Sequence, residues 1–524
     1  MNHLANMPIS WSSSLLTLAK RFGETLAAVD GQNQTLSYTA LSTRAHALAS
    51  ELISRGFQPG DPIATLIPNS VDAVWVSYGV RLAGCCETPL SWGYTQEEIQ
   101  WCAQIAQFKN IVSLKNREED IVALGLSLID TASIANRSTT SLPSQLPAVQ
   151  SETPGRILFT SGTTGKPKGV LYTHGARWQG EQLLKASLPF VPEHGARILL
   201  MTPFVHGASL LAFAWLDHGG TIVVHDGVNI ERISPLLKSD SLAAIFAPPT
   251  VLAKITNALA PQQFPSVQCI FTGTQPLTPA LYQRAHAMFG PKVRNTFGKS
   301  ECVNPITILD RQDTHDYFTQ AEVPPGACVG WPASGVEIKI EAPTAEDQLH
   351  GEVWLRSPHM SAGLIDASGF RPHTPDGWHN TGDLGYVDTA GRVVLTGRVA
   401  DVIKTGGYRV NPDEIEVALA SNALCGQICV TSLASDYWGE IIIAVAEGAK
   451  DGWQEACEKL VGGMSKHKRP RLFIAVDTLP RNPQGKISRR QVSRHMLETH
   501  SLTDGQYPTL YPKAQGENPE GGRN

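Results

Sequence analysis

The chain predicts an α/β protein of more than one domain, on three observations. Short apolar runs of strand length alternate with segments apolar at helical spacing through most of the N-terminal half and beyond. From about Val329 to Asp388 the texture changes to short alternating stretches separated by glycine turns. At 524 residues the chain is also longer than one hydrophobic core organises.

The elements follow in order. Residues 41–55 are apolar at helical spacing and stop at Gly56, and 61–67 read as a buried strand ending at Pro68. Residues 71–83 read as a helix ending at Gly84, followed by a strand over 86–90. Apolar strands separated by helices predict a parallel sheet covered on both faces. The polar, proline-bearing block 140–154 reads as a linker. The strand pattern resumes at 197–204, 219–225, 242–247 and 267–272, each followed by a helix. Residues 336–340 and 351–355 belong to the antiparallel region. Beyond Asp401 about 110 residues remain, enough for a small α+β domain.

Composition narrows the class. Hydrophobic residues are 42% and charged residues 17%, as in an ordinary folded protein. The net charge of −5 argues against bulk nucleic-acid binding. The nine cysteines form no CxxC pair, and their odd number fits no complete set of internal disulfides. Reduced thiols in a cytoplasmic protein are expected. Cys425 and Cys429 have no matching ligand cluster, so no zinc site is expected. The start lacks a basic segment followed by a long apolar core, and no run of about 18 apolar residues appears, so no secretory signal or membrane span is expected.

One loop concentrates chemistry. Between Ser161 and Gly169 the run Phe-Thr-Ser-Gly-Thr-Thr-Gly-Lys-Pro-Lys-Gly-Val, residues 159–170, packs three glycines, three hydroxyl residues and two lysines. Open backbone N–H groups, hydroxyl donors and positive charge at one spot suit a polyphosphate. It is not a Walker A loop, because Gly162 lies only three residues before Gly165 and Pro167 follows Lys166. Composition alone also fits a flexible surface loop.

Four further segments carry candidates. In Asn295-Thr296-Phe297-Gly298-Lys299-Ser300-Glu301, Glu301 is a hard oxygen ligand suited to Mg²⁺, Ser300 a donor to a phosphate oxygen and Phe297 a ring for a purine. The same heptad also reads as a serine-capped helix start. Asp383, in 378–388, can accept both hydroxyls of a ribose or simply close a β-turn. Gly406-Gly407 reads as a hairpin turn, and Pro412 suits a first helical turn. Gly485 lets a tight turn project the Lys486 ammonium, which also describes a solvated surface turn.

The run TSGTTGKPKGV closely resembles the phosphate loop of the adenylate-forming superfamily of acyl-CoA synthetases, peptide-synthetase adenylation domains and luciferases. The other segments follow in that superfamily's order, and the likeness runs from about Tyr38 to Arg490. It implies a large N-terminal domain of stacked α/β/α sheets plus a small β-barrel region, residues 1–400. A small mobile α+β domain, 401–512, would hinge at Asp401, with a disordered tail at 513–524. ATP, Mg²⁺ and CoA are the implied cofactors. By the likeness Thr160, Ser161, Gly162, Thr163, Thr164, Gly165, Lys166 and Lys168 cradle phosphates. Thr274, Asn295, Thr296, Phe297, Gly298 and Ser300 surround the adenylate, Asp383 and Arg398 hold the ribose, and Glu301 binds the metal. Lys404, Gly406 and Gly407 belong to the hinge segment, whose glycines line a thiol tunnel. Lys486 is the catalytic lysine and His206 a gate beside the acyl pocket.

Departures are local. Phe297 and Ser300 replace the usual Tyr and Thr, and Lys299 occupies the variable position, from which it is expected to reach toward the substrate pocket. Residues 272–277, Thr-Gly-Thr-Gln-Pro-Leu, lack one glycine of the usual pair. The implied reaction is acid + ATP + CoA → acyl-CoA + AMP + PPi. The alternative is a stand-alone adenylating enzyme that loads a separate carrier protein, since no carrier domain follows Lys486. The expected pocket segments, 206–209, 246–249, 273–274 and 298–304, are mostly small or apolar. They suggest an aryl or medium aliphatic acid, and no arginine in them marks a dicarboxylate. The cluster 466–469 reads as a solvated charge run. The expected partners are these small molecules, with no nucleic acid, no membrane span and a homodimer as the candidate assembly.

Overall fold

The structure, a computed structural model, describes residues 8–136, 146–160, 167–260, 262–321, 323–324, 326–341, 351–374, 376–481 and 486–513, without the side chains of Ser12 and His206. The predicted elements appear with shifted ends. The first long helix is Tyr38–Ser54, and the strands Pro62–Leu66 and Cys86–Pro89 flank the helix Val71–Leu82. Part of the expected linker is structured: Val149 bridges Ile9, and a strand already begins at Pro154.

Two sheets form the larger part. One has seven strands in the order Val293–Thr296, Cys269–Gly273, Leu242–Phe246, Arg197–Leu200, Thr221–Val224, Leu26–Asp30 and Thr35–Ser37, all parallel but the last. The other has eight strands. Its parallel half contains Cys86–Pro89 and Pro62–Leu66, and its antiparallel half contains the hairpin Pro154–Thr160 and Lys168–Thr173. Their core is shared: Leu48, Val74 and Trp75 cluster with Ile198, Phe213 and Trp215. This is the expected stacking, and the strands are apolar because both faces are covered. A six-stranded antiparallel sheet, including Gly351–Arg356, His379–Val387 and Val393–Arg398, follows.

A five-stranded sheet with helices Pro412–Leu419, Trp453–Val461 and Arg489–Thr499 completes the fold. It carries its own apolar clusters, one around Ile415 and Cys457 and one around Leu433 and Met496. Asn411 caps the helix Pro412–Leu419, with Pro412 at its first position. The Asn411 amide also donates to the Thr396 carbonyl, tying this unit to the preceding sheet. A terminal hairpin, His500–Thr503 with Thr509–Pro512, had no counterpart in the sequence reading. No helix among the described residues is long and apolar enough to cross a membrane. All nine cysteines are free thiols.

A buried ionic cluster fastens the larger part. Glu87 and Arg156 are cross-strand neighbours in the eight-stranded sheet. Glu87 Oε2 lies 3.2 Å from Arg177 Nη2 and 3.6 Å from Arg156 Nε, all three residues being buried. Arg156 also donates to Ser209 Oγ and to the Val205 carbonyl, both at 3.2 Å. It thereby holds the π-helical turn Phe204–Ala208, which follows a strand of the other sheet. Removing Glu87 would leave two guanidinium groups buried without their counter-charge. Glu87→Ala is expected to cost about 3–5 kcal/mol, read as a lower midpoint in chemical denaturation.

Candidate active site

The strand His379–Val387 delivers the central carboxylate. Asp383 follows a turn in which Gly382 takes φ +68° and Thr381 Oγ1 accepts from the Asp383 N–H at 3.0 Å. The residue is buried, and two cations flank it. Arg398 Nε lies 3.2 Å from Oδ1, and Lys299 Nζ lies 3.5 Å from Oδ2. Lys299 also donates to the Thr381 carbonyl. Its expected direction is therefore corrected: opposite charge draws it to the aspartate turn rather than toward the substrate pocket.

Lys486 comes to the same place from the far end of the chain. Its Nζ donates to the Thr274 carbonyl at 2.9 Å. Burial, with the repulsion of Arg398 and Lys299, lowers its pKa to about 8 against the pull of Asp383. Thr274 holds φ +69°, which is rare for a β-branched residue. Glycine adopts that conformation without strain, so the run that lacks one glycine keeps a glycine-like backbone. Strain of this kind clusters at functional sites.

The phosphate-loop candidates fall mostly outside the described residues, which omit 161–166. Its two ends are fixed, because Thr160 and Lys168 are cross-strand partners. The Tyr172 hydroxyl, on the second strand of that hairpin, donates to the Ser300 carbonyl at 2.5 Å. The loop's base is thus tied to the segment that ends in Glu301.

Glu301 is partly buried, and its carbonyl accepts from the Ser361 N–H at 2.9 Å. No hydrogen bond or ion pair reaches its carboxylate among the described residues. Beside it His373 and His379 stand with ring centroids 4.9 Å apart. Burial depresses both rings despite the attraction of Glu301, His379 to about 4. Among the described residues no group of three or more His, Cys, Asp or Glu side chains is arranged to hold a metal ion by itself. One uncommitted carboxylate fits Mg²⁺, which takes one or two protein carboxylates and completes its shell with phosphate oxygens and water.

Next to Thr296 opens a small cavity of about 40 Å³, lined among others by Gly207, Leu211, Phe246, Phe271, Thr296 and Asn304. His206 precedes Gly207 in the turn held by Arg156, and its side chain lies outside the described set.

A family model described as AMP-binding enzyme matches residues 16–365. The chain belongs to the AMP-binding enzyme family. Curated relatives include a 2-succinylbenzoate–CoA ligase of Bacillus cereus (strain AH820), 25% identical over 488 residues, covering 90% of this chain and 95% of that protein. A 4-chlorobenzoate–CoA ligase of an Arthrobacter species is 25% identical over 520 residues, covering 94% and 95%. Among solved structures, the o-succinylbenzoate CoA synthetase of Bacillus subtilis in complex with its acyl-adenylate intermediate superposes with a TM-score of 0.80 at 23% identity, over 93% of this chain and 98% of that one. The same Bacillus protein in complex with ATP and magnesium ion gives a TM-score of 0.78 over 93% and 99%. At that identity the superposition establishes a shared fold.

The structure of this AMP-binding enzyme gathers Thr274, Lys299, Asp383, Arg398 and Lys486 into one cluster. Asn295 and Thr296 are held by the carbonyls of Cys328 and Thr307. Phe297 is 6% exposed and packs with Ile306, Val329 and Leu355, so it anchors its loop and leaves little face for the expected purine stacking. Gly298 sits against Thr274 and Asn304. Gly406 and Gly407 form the turn of the hairpin Ile403–Thr405 and Tyr408–Val410, both with positive φ, as two-residue hairpin turns require. The Gly406 N–H donates to the Trp438 carbonyl at 2.8 Å. No hydrogen bond or ion pair among the described residues joins Lys404, Gly406 or Gly407 to the Asp383 cluster.

Sequence reasoning missed three features of the AMP-binding enzyme. The histidine pair lay unnoticed, although His379 stands next to the aspartate motif. Arg294, one residue before a recognised motif, lines the cavity. Asp504, in the terminal hairpin, accepts from Ser435 Oγ at 2.6 Å and from the Asp436 N–H at 2.6 Å, bracing the turn that leads to Trp438. Asp383 holds Arg398 and Lys299 in place, and the sequence resemblance implies a ribose there, so Asp383→Asn is expected to weaken AMP binding roughly tenfold or more. Lys299→Met is expected to weaken it by a smaller factor. Isothermal titration with AMP checks both, and unchanged affinity in the pair would remove the cluster from the nucleotide site.

Proposed function

We propose that this chain is an ATP-dependent carboxylic acid–CoA ligase that works through an acyl-AMP intermediate, acting on an aryl or medium aliphatic acid. The observation that carries the reading is the convergence of Lys486 on the Thr274 carbonyl beside Asp383. A lysine remote in sequence stands where the nucleotide motifs of the larger part meet the cavity. Relatives named as acid–CoA ligases support the same chemistry.

In the first half-reaction a carboxylate oxygen bonds to the α-phosphorus of ATP, the α–β bridging bond breaks and pyrophosphate leaves. Both partners are anionic, so fixed positive charge and positioning lower the barrier. Lys486 stabilises charge between carboxylate and α-phosphate. Asp383, steadied by Arg398 and Lys299, accepts from the ribose hydroxyls. The loop 160–168 grips the departing pyrophosphate. Glu301 would hold Mg²⁺, which neutralises phosphate charge when bound. In the second half-reaction the thiol sulfur of CoA bonds to the acyl carbon, the acyl–phosphate bond breaks, AMP leaves and the thiol proton passes to solvent.

The two steps need different residues beside one adenylate. We place residues 1–400 and 401–512 in two units that pivot at Asp401. Its carboxylate is bonded at 2.8 Å to Arg489, which also binds Asp413 and Glu416. Rotation withdraws Lys486 and presents the Gly406-Gly407 turn to the incoming thiol.

Lys486→Ala is expected to lower acid-dependent ATP–pyrophosphate exchange by about 10²–10³-fold, while thioester formation from supplied acyl-AMP survives. Near-normal exchange would overturn the assignment. The charged lysine is the working form and its pKa is depressed to about 8, so adenylation is expected to decline as pH rises through that value. Lys299→Met removes a repelling cation, which raises the Lys486 pKa and moves the decline to higher pH.

A further inference from the structure

The terminal hairpin, His500–Thr503 with Thr509–Pro512, is fastened to the Gly406-Gly407 turn through one intermediate turn. That intermediate, residues 436–438, joins the antiparallel strands Gln427–Ser435 and Gly439–Glu447. Asp504, just past the first strand of the terminal hairpin, closes it. Its Oδ1 accepts from Ser435 Oγ at 2.6 Å. Its Oδ2 accepts from the N–H groups of Asp436 at 2.6 Å and Tyr437 at 3.3 Å. An ionised acceptor makes such bonds stronger than a neutral one would. The bond from Ser435 and those from the backbone hold the Asp504 carboxyl below the usual carboxylate range.

The intermediate turn sets Trp438. Its N–H donates to the same Ser435 Oγ at 2.9 Å, and its indole Nε1 donates to the Gly505 carbonyl at 3.1 Å. The Arg471 guanidinium covers a ring face, 3.6 Å from the centroid. Gly406 is built on this indole. The Gly406 N–H donates to the Trp438 carbonyl at 2.8 Å, and a Cβ on Gly406 would stand 3.1 Å from the ring. Gly439, the next residue after Trp438, pairs with Thr405. Gly406 and Gly407 are themselves exposed. Hydrogen bonds and one ring contact, more than burial, therefore fix their turn, and such segments open easily when the bonds are lost.

We propose that Asp504 is a positioning residue for the second half-reaction: through residues 435–438 it holds the Gly406-Gly407 turn in the shape that meets the incoming thiol. This rests on the ligase reading and gives the terminal hairpin a part in it. Asp504 acts through Trp438 and takes no part in adenylation, which uses Lys486 and Asp383. Backbone that guides a nucleophile must be placed finely, since a misplacement of about 1 Å can cost up to about 10²-fold in rate.

The test separates the half-reactions, with benzoate and hexanoate as the acids. Acid-dependent ATP–pyrophosphate exchange reads the first, and thioester formation from CoA and supplied benzoyl-AMP or hexanoyl-AMP reads the second. Asp504→Ala is expected to leave exchange within about twofold and to slow thioester formation about tenfold. Asp504→Asn, which keeps one acceptor oxygen, and Trp438→Phe, which loses the bond to Gly505, are expected to slow it by smaller factors. In Asp504→Ala, amide hydrogen exchange is expected to quicken over residues 403–410 and to stay unchanged around Ile415 and Cys457. A residue that only stabilised the unit would loosen all of it and slow both steps alike. Equal loss of both half-reactions, unchanged thioester formation, or unchanged hydrogen exchange over 403–410 would overturn the inference and leave the ligase reading standing. A wild-type enzyme that exchanges pyrophosphate with neither acid nor any of a broad carboxylate panel, or that forms no thioester with CoA, would overturn the ligase reading and this inference with it. Should Asp504→Ala not fold, Asp504→Asn and Trp438→Phe decide the matter.

Discussion

Asp383 decides where positive charge can stand in this molecule. One buried carboxylate draws Arg398 from the neighbouring strand and Lys299 from a loop of the larger part, while Lys486 approaches from the C-terminal unit. One negative charge cannot neutralise three positive ones in a partly desolvated pocket. The geometry of the surrounding turns follows from holding these groups together: Gly382 bends the strand, Thr381 braces the aspartate, and Thr274 turns its carbonyl outward to meet the lysine ammonium. The excess of cation makes the place suited to an anion that brings more than one charge.

The larger part supplies a rigid frame for that arrangement. Arg156 lies on the strand Pro154–Thr160, and its guanidinium also reaches the Val205 carbonyl in the turn that follows a strand of the other sheet. The loop that would grip phosphate and the turn that would meet the acid are therefore coupled through one buried side chain. Buried ion pairs are weak evidence of stability, since desolvation offsets much of their attraction. Here their visible effect is geometric, fixing a strand of one sheet against the turn that follows a strand of the other.

The fold was legible where physics is local. Parallel strands buried on both faces read as apolar runs, and 61–67, 86–90 and 242–247 were found within a residue or two. The motif residues were legible one at a time, but their partners were not. Lys299 meets Asp383 across 84 positions of sequence, and its direction is set by that charge rather than by its neighbours. Arg294 escaped notice because strand alternation points it into the cavity only once the pairing with Phe271 is known. Short terminal strands such as His500–Thr503 have too few apolar residues to show a period.

Thermodynamic reciprocity gives the cation cluster a further meaning. Arg398 and Lys299 oppose the docking of Lys486 while their charge is uncompensated. A bound polyanion that relieves the opposition favours docking, and docking must tighten that anion by the same factor. Loss of negative charge from the site weakens the hold on Lys486 in the same measure. In the proposed two-step reaction the order of events would then be kept by charge, the hold on Lys486 following how much negative charge remains at the site.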